Sequence, residues 1–396
     1  MSRSILTLTL CLVVLMAAGV DAAPLVENPA TPSGGTRTIT LHEVWRAGGE
    51  SDDVFFGSVG RVLAGPDQTV LVLDTQQSQV QVYGRDGTWL RTLGREGDGP
   101  GEVRGPADAF ALPDGRLCIA QSSPGRFVYL NQDGTPGGGA QYQPRGEPAT
   151  FSVCVAGRPA PGGFVLAGIR FKQQGPQAQQ TFFLSRCDVE GVEQVVYLEK
   201  VYGVNYADFR LDEDSMDFVW MGRMDVDRAG RIYVGPERDR YLIQVLEPDG
   251  TLVRQFTRPV TVPARTAEEH AIAVKIHEAI GAHYGVPLQG VTVAARDAAI
   301  GGLWVRPDGE VWVQTPANQP PAGAFALLDV FDPAGRFVRQ VALVMPGDPK
   351  RDGLYLLDDG RVAVAIGGLD AFLSQQGVAG SSDDAPVLEV VVYDAI

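Results

Sequence analysis

The chain has 396 residues, 44% hydrophobic and 20% charged, with a net charge of −15. That composition suits a globular protein with a large core and excludes disorder as the default state. An acidic surface repels phosphate backbones and anionic lipid, so neither nucleic acid nor membrane is an expected partner.

Residues 1–22 carry Arg3, an apolar run over 5–18, and small residues ending Val20-Asp21-Ala22 before Ala23-Pro24. This is the pattern of a cleavable secretory signal, and the run is shorter than the roughly twenty apolar residues an anchoring helix needs. Cys11 follows the bulky Leu10, which does not suit a lipidated cysteine. The expectation is an exported protein, periplasmic or extracellular, with no membrane insertion. Residues 23–36, polar and rich in Pro, Gly and Ser, read as a flexible leader. Past the signal three cysteines remain, Cys118, Cys154 and Cys187, which allow at most one internal disulfide. No CxxC occurs, so neither a zinc clip nor a thioredoxin-like motif is suggested.

From residue 37 to 396 one unit recurs six times: an apolar strand, a tight turn, a β-branched strand, a variable loop and a third strand. The first turns include Pro66-Asp67, Pro113-Asp114-Gly115, Pro161-Gly162, Asp227-Arg228-Ala229-Gly230, Pro307-Asp308-Gly309 and Asp358-Asp359-Gly360. Second turns follow in five units, among them Asp86-Gly87 and Asp133-Gly134, and the first two units are offset by 47 throughout. Short strands at such spacing, joined by hairpin-type turns, predict an all-β six-bladed propeller of four-stranded antiparallel blades. The sixth unit ends at Ile396 with no residues for a fourth strand, while 37–45 has no unit of its own. That stretch is expected to supply the missing outer strand and close the ring.

The run Gly94-Arg95-Glu96-Gly97-Asp98-Gly99-Pro100-Gly101-Glu102-Val103, with Gly105-Pro106 after it, resembles the linker that precedes a blade in bacterial NHL-like propellers. Val70 to Tyr83, with Asp74 between its strands, is similar to that group's strand-Asp-loop-strand core. Val103 stands where the group usually has Phe. The resemblance implies a fold far more than a function, because this architecture hosts lyases, lactonases and binding proteins.

Short turns after the first and third strands put every long segment on the opposite face of the disc. These are 168–180, 314–323 and 366–386 within blades, and 202–221 and 259–300 between them. Function is expected on that face and at the channel mouth. In the largest insertion, about 264–285 between blades 4 and 5, Thr266-Ala267-Glu268-Glu269 is a capping box that opens a helix. Ile272, Ile276 and Ile280 form one stripe, to pack on the rim or to serve as a lid or partner face. His270, His277 and His283 invite a metal reading, but the first two stand about 10 Å apart along the helix and the third points elsewhere. One ion with ligands at about 2 Å cannot bridge them, so no metal ligand is assigned. Zinc chemistry of the lyase type lacks histidines from several blades, since only His42 lies outside the insertion.

Arg170, Lys172, Tyr206, Arg210, Trp220 and Arg223 collect on the long-loop face, where Arg beside aromatic rings suits a carboxylated, sugar-like or peptide ligand. Against this, the aromatics could cover blade edges while the arginines pair with Asp208, Asp212 and Asp214. The leading expectation is a monomeric, non-enzymatic binding propeller for a small molecule, glycan or protein, without a cofactor. The alternative is a divalent-metal-dependent hydrolase or lactonase, in which Ca or another divalent ion sits at the channel centre on oxygen ligands from different blades.

Overall fold

The structure is a computed structural model that describes residues 23–49, 54–146, 149–220, 222–375 and 387–396; the expected signal peptide lies outside the described residues. Six four-stranded antiparallel blades follow one another in chain order, and two carry a fifth, parallel strand on their outer edge. The chain is a six-bladed β-propeller. Within blade 1, Val70–Asp74 is buried along its whole length. An inner strand covered by neighbouring blades on both faces needs a continuous apolar run rather than alternation.

Closure uses Glu43–Gly48, which pairs antiparallel with Glu389–Ala395 and places Trp45 opposite Val392. The expected closing segment 37–45 is therefore displaced toward the C-terminal side. Trp45 stacks on Tyr83 of blade 1 at 5.1 Å between centroids and lies against Gly87. A Cβ at Gly87 would fall 2.5 Å from the indole, and φ there is +84°, so glycine is required where the last blade meets the first.

The flexible leader is a correction. Leu25–Glu27 pairs parallel with the outer strand of blade 4, Leu252–Thr257, and Thr36–Thr40 pairs parallel with the outer strand of blade 5, Phe337–Val344. Between them Asn28 locks the path: its Nδ2 donates to the carbonyls of Thr257 and Gly335, and its Oδ1 accepts from the Phe337 amide. Residues 24–48 thus form a belt over the edges of blades 4, 5 and 6. Open strand edges recruit backbone partners whatever the side chains.

Blade 3 also departs from expectation. The stretch 168–180, read as a loop, continues the strands Gly163–Gln174 and Gln177–Asp188 around a two-residue turn. The fourth strand, Glu193–Asn205, extends with them, so this blade stands above the disc on the long-loop side. In blade 6, the loop expected at 366–386 contains the helix Gly368–Gln375.

Neighbouring blades share a recurrent staple. A side chain of one blade donates to the carbonyl that opens the second tight turn of the next: Arg91 to Gln132 at 2.9 Å, Tyr129 to Val189 at 2.7 Å, Tyr197 to Pro248 at 2.9 Å, and Arg254 to Pro333. The linker at 94–103 is a compact turn, with Glu102 bonded to Arg95 and to the Gly99 amide and Val103 fully buried. Cys118, Cys154 and Cys187 are free thiols buried between blades 2 and 3. Among the described residues no helix is long and apolar enough to cross a membrane.

Candidate functional site

The innermost strands line the central channel, and their inward-facing side chains alternate in charge. Arg61 of blade 1 lies 3.8 Å from Asp108 of blade 2. Arg158 of blade 3 reaches Asp108 at 3.3 Å and Asp225 of blade 4 at 3.4 Å. Asp108 is fully buried and also accepts from the Gly157 amide, while Asp225 accepts from the Val305 amide of blade 5. Burial pulls Arg158 below the usual arginine range, helped by Arg61 and opposed by Asp108 and Asp225. Burial likewise raises the Asp225 carboxyl against the pull of Arg158. Arg306 and Asp358, in the first turns of blades 5 and 6, continue the series to a mouth of about 630 Å³ walled by Pro159, Pro161 and Pro307. The inward-facing charges of blades 1 to 4 thus compensate one another.

The six expected site residues do not converge. Alternation along the strands sends Arg170 and Phe183 to one face of blade 3 and Phe182 to the other. Arg170 stacks over Phe183 at 4.9 Å and pairs with Glu193 and Glu199. Lys172 is exposed near the tip of the same hairpin. On the opposite face Trp220 packs edge-on against Phe182 at 5.0 Å, and Arg223 is buried with its Nη2 on both oxygens of Asp217. Tyr206 lies beside Phe209 and Tyr284, and Arg210 pairs with Asp208 at the surface. The aromatics anchor the helical insertion to blade 3: Tyr284 exchanges hydrogen bonds with the buried Gln180 and packs on Phe209 at 4.7 Å.

The insertion forms the helix Ala267–Ala282, with both halves of the capping box present between Thr266 and Glu269. Its base is pinned by Glu213, which accepts two hydrogen bonds from Arg265 and one from the Ala294 amide and lies 3.3 Å from Arg238. Burial opposes ionisation of Glu213, but these donors outweigh it and hold the carboxyl down at about 2. The isoleucine stripe is divided. Ile280 packs on the blade 3 and 4 cluster, whereas Ile272 and Ile276 face blade 5 across a groove. His277 hydrogen-bonds the Ala273 carbonyl on its own helix, and His270 and His283 are exposed.

That groove has a volume of about 430 Å³ and lies on the long-loop face. Ile272, Ala273 and Ile276 form one wall, and Phe325 and Leu327 the other. The charges at its ends are already paired, Arg265 with Glu213 and Asp297, and Lys350 with Glu269. Thr315 and Asn318 supply polar groups on the floor, where Arg258 donates to the Asn318 oxygen at 2.7 Å. Beneath, the buried Asp329 accepts from Tyr241, Arg258, Asn318 and Gln340, a fully satisfied hub that keeps the floor rigid. Sequence reading placed the helix but not this groove, because the opposing residues are some fifty positions away in blade 5. The channel charges did leave a signal: Arg61 and Asp108 occupy equivalent positions at the 47-residue offset with opposite sign.

No protein-family model and no curated protein matches the sequence. Among solved structures the chain is similar to a member of the DUF4221 family from Bacteroides vulgatus, at 10% identity and a TM-score of 0.49, covering 89% of this chain and 96% of that one. It is also similar to regucalcin, a calcium-binding protein from Agrobacterium tumefaciens, at 11% identity and a TM-score of 0.43 over 91% and 97% of the two chains. A third, a gluconolactonase from Xanthomonas campestris, has 12% identity and a TM-score of 0.39 over 89% of each. The assignment as a six-bladed propeller rests on the sheet order described above.

Proposed function

We propose that this is an exported binding propeller whose ligand occupies the groove between the Ala267–Ala282 helix and blade 5. The observation that carries this reading is the groove itself: two apolar walls, a rigid polar floor and ends whose charges are already neutralised. Its volume falls in the usual range for small-molecule sites, about 300–1,000 Å³. With no unpaired charge at its ends it suits a neutral, largely apolar molecule with one or two hydrogen-bonding groups. The expectation of a charged ligand on Arg170, Arg210 and Arg223 loses support, because each guanidinium is paired with a carboxylate. A channel-centre divalent ion is also disfavoured: Asp108 and Asp225, the carboxylates it would use, are bonded to Arg158.

Nile red is a suitable neutral, apolar probe. The wild-type protein should bind it saturably with blue-shifted emission, Ile276→Glu should lose that binding while keeping its circular dichroism, and a chelator should change nothing. Equal binding by the variant, or no saturable binding, would overturn the reading. A stoichiometric divalent ion in native mass spectrometry that is stripped by chelator would put the hydrolase in its place.

A further inference from the structure

A second cavity lies on the opposite, tight-turn face, between blades 1 and 2. Its volume is about 240 Å³. Leu63, Leu71, Val82 and Leu93 of blade 1 form its wall, and the first tight turn of blade 2 closes it. Arg91 enters from the outer strand. Its Nη2 makes the staple to the Gln132 carbonyl, but its Nε is buried with no acceptor. No carboxylate among the described residues pairs with Arg91. Asp133, the acid that feels it, is held by the hydroxyl and amide of Thr135.

The repeat shows why this cavity exists. At the 47-residue offset, Leu63 corresponds to Phe110, Val82 to Tyr129 and Arg91 to Gly138. Between blades 2 and 3 those larger rings fill the equivalent space: Phe110 packs on Phe164 at 5.4 Å, and the Tyr129 hydroxyl makes the staple. Blade 1 instead has aliphatic side chains and a cation, leaving an apolar slot with the Arg91 guanidinium at one end and, among the described residues, no carboxylate in direct contact with it. Arg91 lines this slot without a carboxylate partner of its own among the described residues, and a guanidinium so placed suits the carboxylate of a ligand.

We propose that this slot binds a short aliphatic carboxylate, its carboxylate on Arg91 and its chain against Leu63, Leu71 and Val82. The volume lies below the roughly 300 Å³ at which drug-sized pockets begin, which restricts the ligand to short chains. Arg116, the second cation lining the slot, is already paired with Asp114 at 2.6 Å, which leaves Arg91 as the group for a single carboxylate. The slot and the helix groove are on opposite faces, so either proposal can fail alone.

The test uses hexanoate as probe and hexanol as its neutral counterpart, followed by saturation-transfer NMR on the mature protein. Hexanoate should bind saturably with a dissociation constant of about 1 mM, from the usual ligand efficiency of so small a molecule. Hexanol and the Arg91→Met variant should each be at least about tenfold weaker. Val82→Tyr copies the residue of blade 2, fills the slot and should abolish binding. If hexanol binds as well as hexanoate, if Arg91→Met keeps full affinity, or if hexanoate does not bind, the proposal is wrong. The hexanol comparison needs only wild-type protein and stands even if a variant fails to fold.

Discussion

Arg158 holds Asp108 and Asp225 at once, at 3.3 and 3.4 Å, and so joins blades 2, 3 and 4 through a single buried guanidinium. Removing it leaves two carboxylates in the channel, with only the more distant Arg61 near Asp108. Breaking a buried pair in this way costs about 3–5 kcal/mol. Arg158→Met should lower the urea midpoint accordingly, and Asp108→Asn combined with Arg158→Met should recover part of the loss. Equal stability of the single variant and wild type would show that water reaches the pair.

Asn28 makes the belt a structural part of the ring. Its side chain bonds Thr257 and Gly335 as donor and Phe337 as acceptor, at 3.1, 2.9 and 2.8 Å. Asn28→Ala removes three partly buried bonds and should destabilise the protein by about 1–3 kcal/mol. Limited proteolysis should then cut within 29–35 before any site in the blades. A leader without a structural role would give no change in either measurement.

Glu213 couples the helical insertion to pH. Its carboxyl sits at about 2 in the folded protein against an ordinary value of 4.5. A depressed folded value means that its stabilisation is complete above about 4.5 and is lost as pH falls toward about 2. The melting temperature of wild type should therefore drop across that interval, and Glu213→Gln should start lower at neutral pH and fall less steeply. Parallel curves for the two proteins would remove Glu213 from the explanation.

The thiols of Cys118, Cys154 and Cys187 are buried among aromatic and aliphatic side chains, and burial raises all three above the usual thiol range. A thiolate is the reactive form, so these groups should be inert in the folded state. Ellman's reagent should detect no thiol in native protein spanning residues 23–396 and three after denaturation without reductant. A single thiol after denaturation would mean that two had formed a disulfide.

The ring was legible in the sequence: eleven tight turns in six successive units, with apolar strands between them. These are local signals, carried by glycine and proline geometry and by strands buried on both faces. The sequence also determined the long helix, because Thr266 and Glu269 satisfy each other's backbone amides within one turn. The path of residues 24–48 was not legible there, since the backbone edges of blades 4 and 5 that receive them have no side-chain signature. Only the tertiary structure decided that Arg170 and Trp220 stand on opposite faces of blade 3, which one residue of strand register would have reversed. The helix groove and the slot beside Arg91 exist only where surfaces distant in sequence meet. The blade 1 slot is open space between the blades because Leu63 and Val82 stand where the next blade has Phe110 and Tyr129, a difference whose effect appears when the blades pack.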